Sequence, residues 1–243
     1  QVSNLILRPI MPKIGSQKEI FFSLDAKLNL IPLGTLRSDK DIFLAKTHKI
    51  RLLTTGRDLI NLSNPSKKNN NQNLILANPS FTLTKNLFTK ESDSKPQIHS
   101  SQKRALDLQS KKWLSLPGTE KEGKEVKKLI SGLLLMKNEA TSQAVQKINS
   151  PKIFHVASHS YFIPIQREWE NSLLASGVVL AGANEPSLNP EDDGYLTSLE
   201  LAALNWKKTE LAVISGCESS KGFIKNGESI YGLKRSISIA GAR

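Results

Sequence analysis

Residues 152–162 read KIFHVASHSYF, and the fold turns on whether this stretch is helix or strand. Its two histidines, His155 and His159, stand four apart, a spacing that on a helix would align them as paired zinc ligands. The zinc motif needs a glutamate directly after the first histidine, and Val156 stands there. No third ligand follows at a sensible spacing, since the single cysteine of the chain, Cys217, lies far along the sequence. Pro151 opens the segment, and Ile153, Phe154 and Val156 favour extended backbone. The stretch reads as a short apolar strand with His155 inside it and His159 near its C-terminal end.

A second run of the same kind is ELAVISG (210–216). Both runs are almost continuously apolar rather than alternating, as strands are when helices cover both faces of a parallel sheet. Further strands are expected in HKIRLLTT (48–55), NLILANPS (73–80) and SGVVLAG (176–182). EIFFSLDAKLNLIPL (19–33) reads as two strands around a turn at Asp25-Ala26-Lys27. Helical spacing marks LPGTEKEGKEVKKLISGLLL (116–135), with Thr119 as N-cap, then AVQKI (144–148), LTSLELAAL (196–204) and SIYGLKRSISIAG (229–241). Strands and helices in alternation argue for an α/β sandwich with a mostly parallel central sheet. In such sheets the ligand site lies beyond the carboxyl ends of the strands. His159 follows the first of the two apolar runs and Cys217 the second, so parallel strands would bring both to one sheet edge.

Composition narrows the function classes. The chain has 243 residues, enough for one large domain or two small ones. Its net charge of +12 comes from 34 Lys+Arg against 22 Asp+Glu. Much of the excess lies in polar stretches such as 63–73 and 95–113, which carry few aromatics and no nucleic-acid reader motif. Nucleic acid is therefore not an expected partner. One cysteine permits no internal disulfide, which favours a reducing, cytoplasmic setting. No run of eighteen apolar residues exists, so no membrane partner is expected. Trp113, Trp169 and Trp206 read as core or lid residues, and Glu191-Asp192-Asp193 as an acidic turn that could line a pocket for a basic group.

KIFHVASHSYF, NSLLASGVVLAGAN, DDGYLTSLELAALN, TELAVISGCESS and NGESIYGLKRSISIAGAR follow one another in an order and spacing that resembles the CHAT family of caspase-like cysteine peptidases. The likeness is dense from Pro151 to Arg243, thinner before it, and lacking over about residues 81–112, which read as a polar insertion or linker within one domain spanning 1–243. The resemblance implies a caspase-like three-layer α/β sandwich. Relative to the family pattern it is incomplete at the C-terminus, where a further strand and helices would follow and the edge beside the Cys217 strand would be left open.

The resemblance also implies a cysteine endopeptidase with Cys217 as nucleophile and His159 as general base, and a structural role for His155. The oxyanion would be held by the backbone N–H groups of Ser160 and Cys217. Gly216 would leave room for a substrate strand, and Asp192 or Asp193 would line a substrate pocket. No cofactor or metal is implied. The implied partners are a protein or peptide substrate and helical repeats of the same parent protein. A catalytically inactive caspase-like scaffold or signalling module is the alternative. Two positions depart from the family pattern: Ser160 and Ser229 stand where it has glycine. A glycine after the histidine would suit left-handed backbone, which serine adopts only with strain.

Overall fold

A computed structural model describes residues 2–24, 28–29, 31–37, 41–53, 56, 58–63, 70–83, 112–163, 172–189, 191–216 and 228–242. The chain divides into two compact units, Gln1–Pro65 and Ser66–Arg243.

In the first unit, helices α1 (Val2–Ile6), α2 (Met11–Ile14), α3 (Leu44–Thr47) and α4 (Asp58–Ser63) accompany two strands, β1 (Glu19–Ser23) and β2 (Lys49–Leu53). The strands pair in parallel, with Glu19 opposite Lys49 and Ser23 opposite Leu53. β1 alternates exposed and buried residues, and its inward Ile20 and Phe22 join Leu7, Leu33, Leu36 and Leu44 in one core. Of the two strands expected in 19–33, only the first is present among the described residues. The turn at 25–27 lies outside the described residues, and Leu33–Thr35 is a 3-10 turn. Pro32, with no N–H to give a ladder, precedes that turn and helps explain the difference.

The second unit is built on four parallel strands in the order β4-β3-β5-β9: β3 (Leu74–Pro79), β4 (Leu133–Lys137), β5 (Ile153–Ala157) and β9 (Leu211–Ser215). Every expected strand of this sheet forms. Helix α5 (Pro117–Ile130) makes the crossover from β3 to β4, and α6 (Ser142–Gln146) the one from β4 to β5.

Register assigns the two faces. Leu74, Phe154 and Ala212 share one face, as do Leu76, Val156 and Ile214. They pack with Leu201 of α7 (Ser198–Ala203), Leu233 of α8 (Glu228–Ala240), Val145 and Trp206 in the main core. Phe154 and Trp206 are fully buried, their rings 4.7 Å apart. Burying a side chain of that size stabilises the fold by about 1.5–3 kcal/mol. α5 covers the opposite face, and Gly123 lets it come close: a Cβ there would lie 2.4 Å from Ala77 Cβ. The three-layer α/β expectation therefore holds, with a mostly parallel central sheet between helices.

Several details differ from the sequence reading. The helix expected over 116–135 stops at Ile130, where Ser131 (φ +54°) and Gly132 (φ +124°) turn the chain, and Leu133–Lys137 form β4 instead. The helix expected over 196–204 begins at Ser198, because 195–197 are strand. α5 begins at Pro117, favoured at a first helical position because its missing N–H has no intrahelical acceptor there. Thr119 thus lies inside the first turn, where its hydroxyl donates to Leu116 O (2.7 Å) and accepts from Asn78 N–H (3.1 Å). The SGVVLAG strand, β7 (Ser176–Val179), also leaves the parallel sheet. It lies between β6 (Ser160–Phe162) and β8 (Tyr195–Thr197) in an antiparallel three-stranded sheet. β6 starts three positions after β5 ends, far too soon for the crossover that a parallel neighbour requires. α8 ends as read: Gly241 has φ +100°, and Gly241 N–H and Ala242 N–H bond back to Ser238 O and Ile237 O. Among the described residues β9 pairs on one side only, with β5. No helix among them is long and apolar enough to cross a membrane.

Candidate active site

β5 and β9 are adjacent and parallel, with Ala157 opposite Ser215. Beyond their ends Ser158 N–H donates to Ser215 O (3.1 Å), so the two chains leave the sheet side by side. Gly216 is the next contact. A Cβ there would stand 2.8 Å from Ser158 O, closer than real Cβ atoms approach, and a tight 3.2 Å from Ser160 Oγ. Ser158 is fixed from the other side, its hydroxyl donating to Val179 O at 2.5 Å. Ser158, Ser160 and Gly216 therefore meet at one point, with His159 between the two serines. Cys217, one residue further on, lies outside the described residues.

His159 is 7% exposed. Its ring lies against Phe81 (centroids 5.1 Å apart, planes at 42°) and Trp113 (5.3 Å, 41°). Nε2 is 2.8 Å from Leu114 O. A carbonyl only accepts, so Nε2 carries the proton and the neutral ring keeps its lone pair on Nδ1. His155 is held differently: its Nε2 lies 3.0 Å from Glu122 Oε1, on the α5 face of the sheet.

Ser160 is not among the non-glycine residues of positive φ, which are Asp41, Asn78, Ser131, Lys137 and Ser150 among the described residues. The serine in place of the family's glycine is therefore unstrained. Hydrogen bonds from Val179 N–H to His159 O and from Ile163 N–H to Ala175 O fix the β6–β7 ladder. Alternation along an antiparallel pair then turns the Ser160 N–H away from β7.

The two aspartates separate. Asp192 is buried, and its carboxylate accepts from Ser142 Oγ (2.8 Å), Gln143 N–H (2.8 Å) and Gly194 N–H (3.0 Å), tying it to the start of α6. Asp193 accepts from Tyr195 N–H (3.0 Å) and from its own backbone N–H, and burial pushes its carboxyl up to about 6. Glu200, nearby, is engaged in a capping box with Thr197, the N-cap of α7.

Sequence reasoning read Trp113 as a core or lid residue, and it is buried, but it did not connect Trp113 or Phe81 with His159. Phe81 and Trp113 flank residues 84–111, which lie outside the described residues. Trp113 N–H donates to Asn184 Oδ1 (2.8 Å), and its indole N–H to Tyr195 Oη (2.9 Å). The one signal was an apolar pair, Trp113-Leu114, closing a lysine-rich polar stretch.

A search of curated proteins finds no match. The family model for the CHAT domain, in contrast, matches residues 1–243, the whole sequence, and with the strand-end geometry above it shows that the chain belongs to the CHAT domain family.

Proposed function

We propose that the chain is a caspase-like cysteine endopeptidase working through Cys217 and His159. One observation carries the reading: β5 and β9 are parallel neighbours with Ala157 opposite Ser215, and His159 and Cys217 are the residues two positions beyond those ends. The tautomer fits the task, because Nε2–H is held by Leu114 O and Nδ1 is left as the base.

In the proposed cycle the Cys217 thiol gives its proton to His159 Nδ1. The thiolate attacks the carbonyl carbon of the scissile peptide. The resulting oxyanion accepts hydrogen bonds from the Ser160 and Cys217 backbone N–H groups. As the intermediate collapses the C–N bond breaks, and the leaving amine takes the proton from the imidazolium. Water, deprotonated by His159, then attacks the thioester. The acid product leaves and the thiol is restored. No metal or cofactor enters these steps.

For the pocket, Asp193 is the better candidate of the acidic pair. Asp192 is already committed to three donors, whereas a substrate Arg or Lys would stabilise the Asp193 carboxylate that burial disfavours. A protein or peptide is the proposed substrate, and helical repeats of a parent protein the proposed partner.

The second reading, an inactive caspase-like scaffold, draws on the burial of His159. Labelling with a peptidyl electrophile separates the two. Modification of Cys217 that is lost in His159→Ala supports the peptidase, and equal labelling of both proteins, or of neither, refutes it.

A further inference from the structure

We propose that Asn184 is a positioning residue for His159: its carboxamide clamps the backbone of Trp113 and so holds the Leu114 carbonyl on Nε2. The inference rests on the reading of His159 as the base.

Residues 112–116 form no helix or strand, so their backbone polar groups have no ladder of their own and need other partners. One side chain answers both groups of Trp113. Asn184 Oδ1 accepts from Trp113 N–H at 2.8 Å, and Asn184 Nδ2 donates to Trp113 O at 3.0 Å. A neighbouring strand would make the same pair of bonds. Leu114 follows immediately, and its side chain is 70% exposed, so nothing apolar anchors it. The direction of its carbonyl is inherited through the planar peptide from Trp113.

Asn184 is itself well held. Its N–H donates to Phe81 O (2.9 Å) and its Nδ2 also to Thr82 Oγ1 (3.0 Å). Both rings that pack on His159, Phe81 and Trp113, thus belong to segments bonded to this one residue. A second tie runs from Trp113 Nε1 to Tyr195 Oη, whose own proton goes to Ala183 O (3.1 Å). Burial raises the Tyr195 pKa, which keeps that hydroxyl a donor. The hydrogen bonds of Asn184 go to Trp113, Thr82 and Phe81, so its effect on the imidazole passes through Trp113.

The test reads the histidine directly, in the full 243-residue chain labelled with ¹⁵N-histidine, the His159 signals being assigned by comparison with His159→Gln. The unmodified chain is expected to show the Nε2–H tautomer of neutral His159. Asn184→Ala is expected to give a mixture of tautomers. Alkylation of Cys217 by iodoacetamide at neutral pH should fall about 10-fold, by analogy with the lower end of the loss when the groups that orient metal-ligating histidines are removed. Asn184→Asp keeps the acceptor for Trp113 N–H but loses the donors, and is expected to fall between; it also serves if Asn184→Ala does not fold. An unchanged Nε2–H tautomer in a folded Asn184 variant overturns the proposal. Failure of the peptidase reading looks different: His159→Ala would leave the alkylation pH profile unchanged, whatever Asn184→Ala does to the tautomer.

Discussion

His155 and His159 stand four residues apart, yet their Nε2 atoms have acceptors of different kinds: a Glu122 carboxylate oxygen at 3.0 Å and the Leu114 carbonyl oxygen at 2.8 Å. The first bond ties β5 to α5 across the sheet face. The second ties the loop beyond β5 to an irregular segment. His155→Ala is expected to cost about 1–3 kcal/mol of stability by stranding the partly buried Glu122, and to leave the rate of the folded fraction intact. His159→Ala should lower peptide cleavage by about 10²-fold or more while changing stability less. Chemical denaturation beside steady-state kinetics for both variants decides it. Loss of activity in folded His155→Ala would reverse the assignment.

Asp193 should make stability fall as pH rises. Its carboxyl titrates near 6 in the folded chain and near 4 when unfolded, so between those values the folded state keeps a proton that the unfolded state has released. Folding is therefore penalised progressively from about pH 4 to about pH 6, by at most about 3 kcal/mol, and the penalty persists above. Asp193→Asn keeps an oxygen for Tyr195 N–H, so it should be more stable than the parent at pH 7 and nearly equal at pH 4. Equal stability differences at the two pH values would remove the effect. In a peptide library the same variant should lose any preference for Arg or Lys before the cut, and an unchanged profile would remove Asp193 from the pocket.

How much of this was legible in the sequence depends on how local the cause is. β5 and β9 were readable because an unbroken apolar run suits a parallel strand with helices over the sheet, although of the two only β5 is largely buried and β9 stays partly exposed. Their polar neighbours His159 and Cys217 stood out against that background. The Thr197–Glu200 capping box was present as a spacing within one turn. Asn184 was not readable. Its two bonds to Trp113 join residues 71 positions apart, and nothing in AGANEPS distinguishes an ordinary turn asparagine from a clamp. Asp192 and Asp193 look alike as neighbours, but only the fold gives one to α6 and leaves the other, among the described residues, with donors from its own turn alone.

Two glycines at close approaches should fail in opposite ways. A Cβ on Gly123 would press into Ala77 Cβ at 2.4 Å, between α5 and the sheet, where neither backbone can move without the other. Gly123→Ala is expected to destabilise the chain by about 1–3 kcal/mol, the usual cost of overpacking, with little change in the rate of the molecules that remain folded. Gly216 stands at the exposed end of β9, where strain can be relieved by a local shift. The relief would come at the wrong place. The Cβ of Gly216→Ala would meet Ser158 O at 2.8 Å and Ser160 Oγ at 3.2 Å, pushing apart the two strand exits that flank His159. Stability should change little. Cleavage should drop by about 10²-fold, because a displacement near 1 Å is enough to spoil a reacting geometry. Thermal melts and kcat/KM measured on both variants give the comparison. If Gly216→Ala loses stability but retains its rate, the meeting of Gly216 with the 158–160 segment matters to the fold rather than to the chemistry.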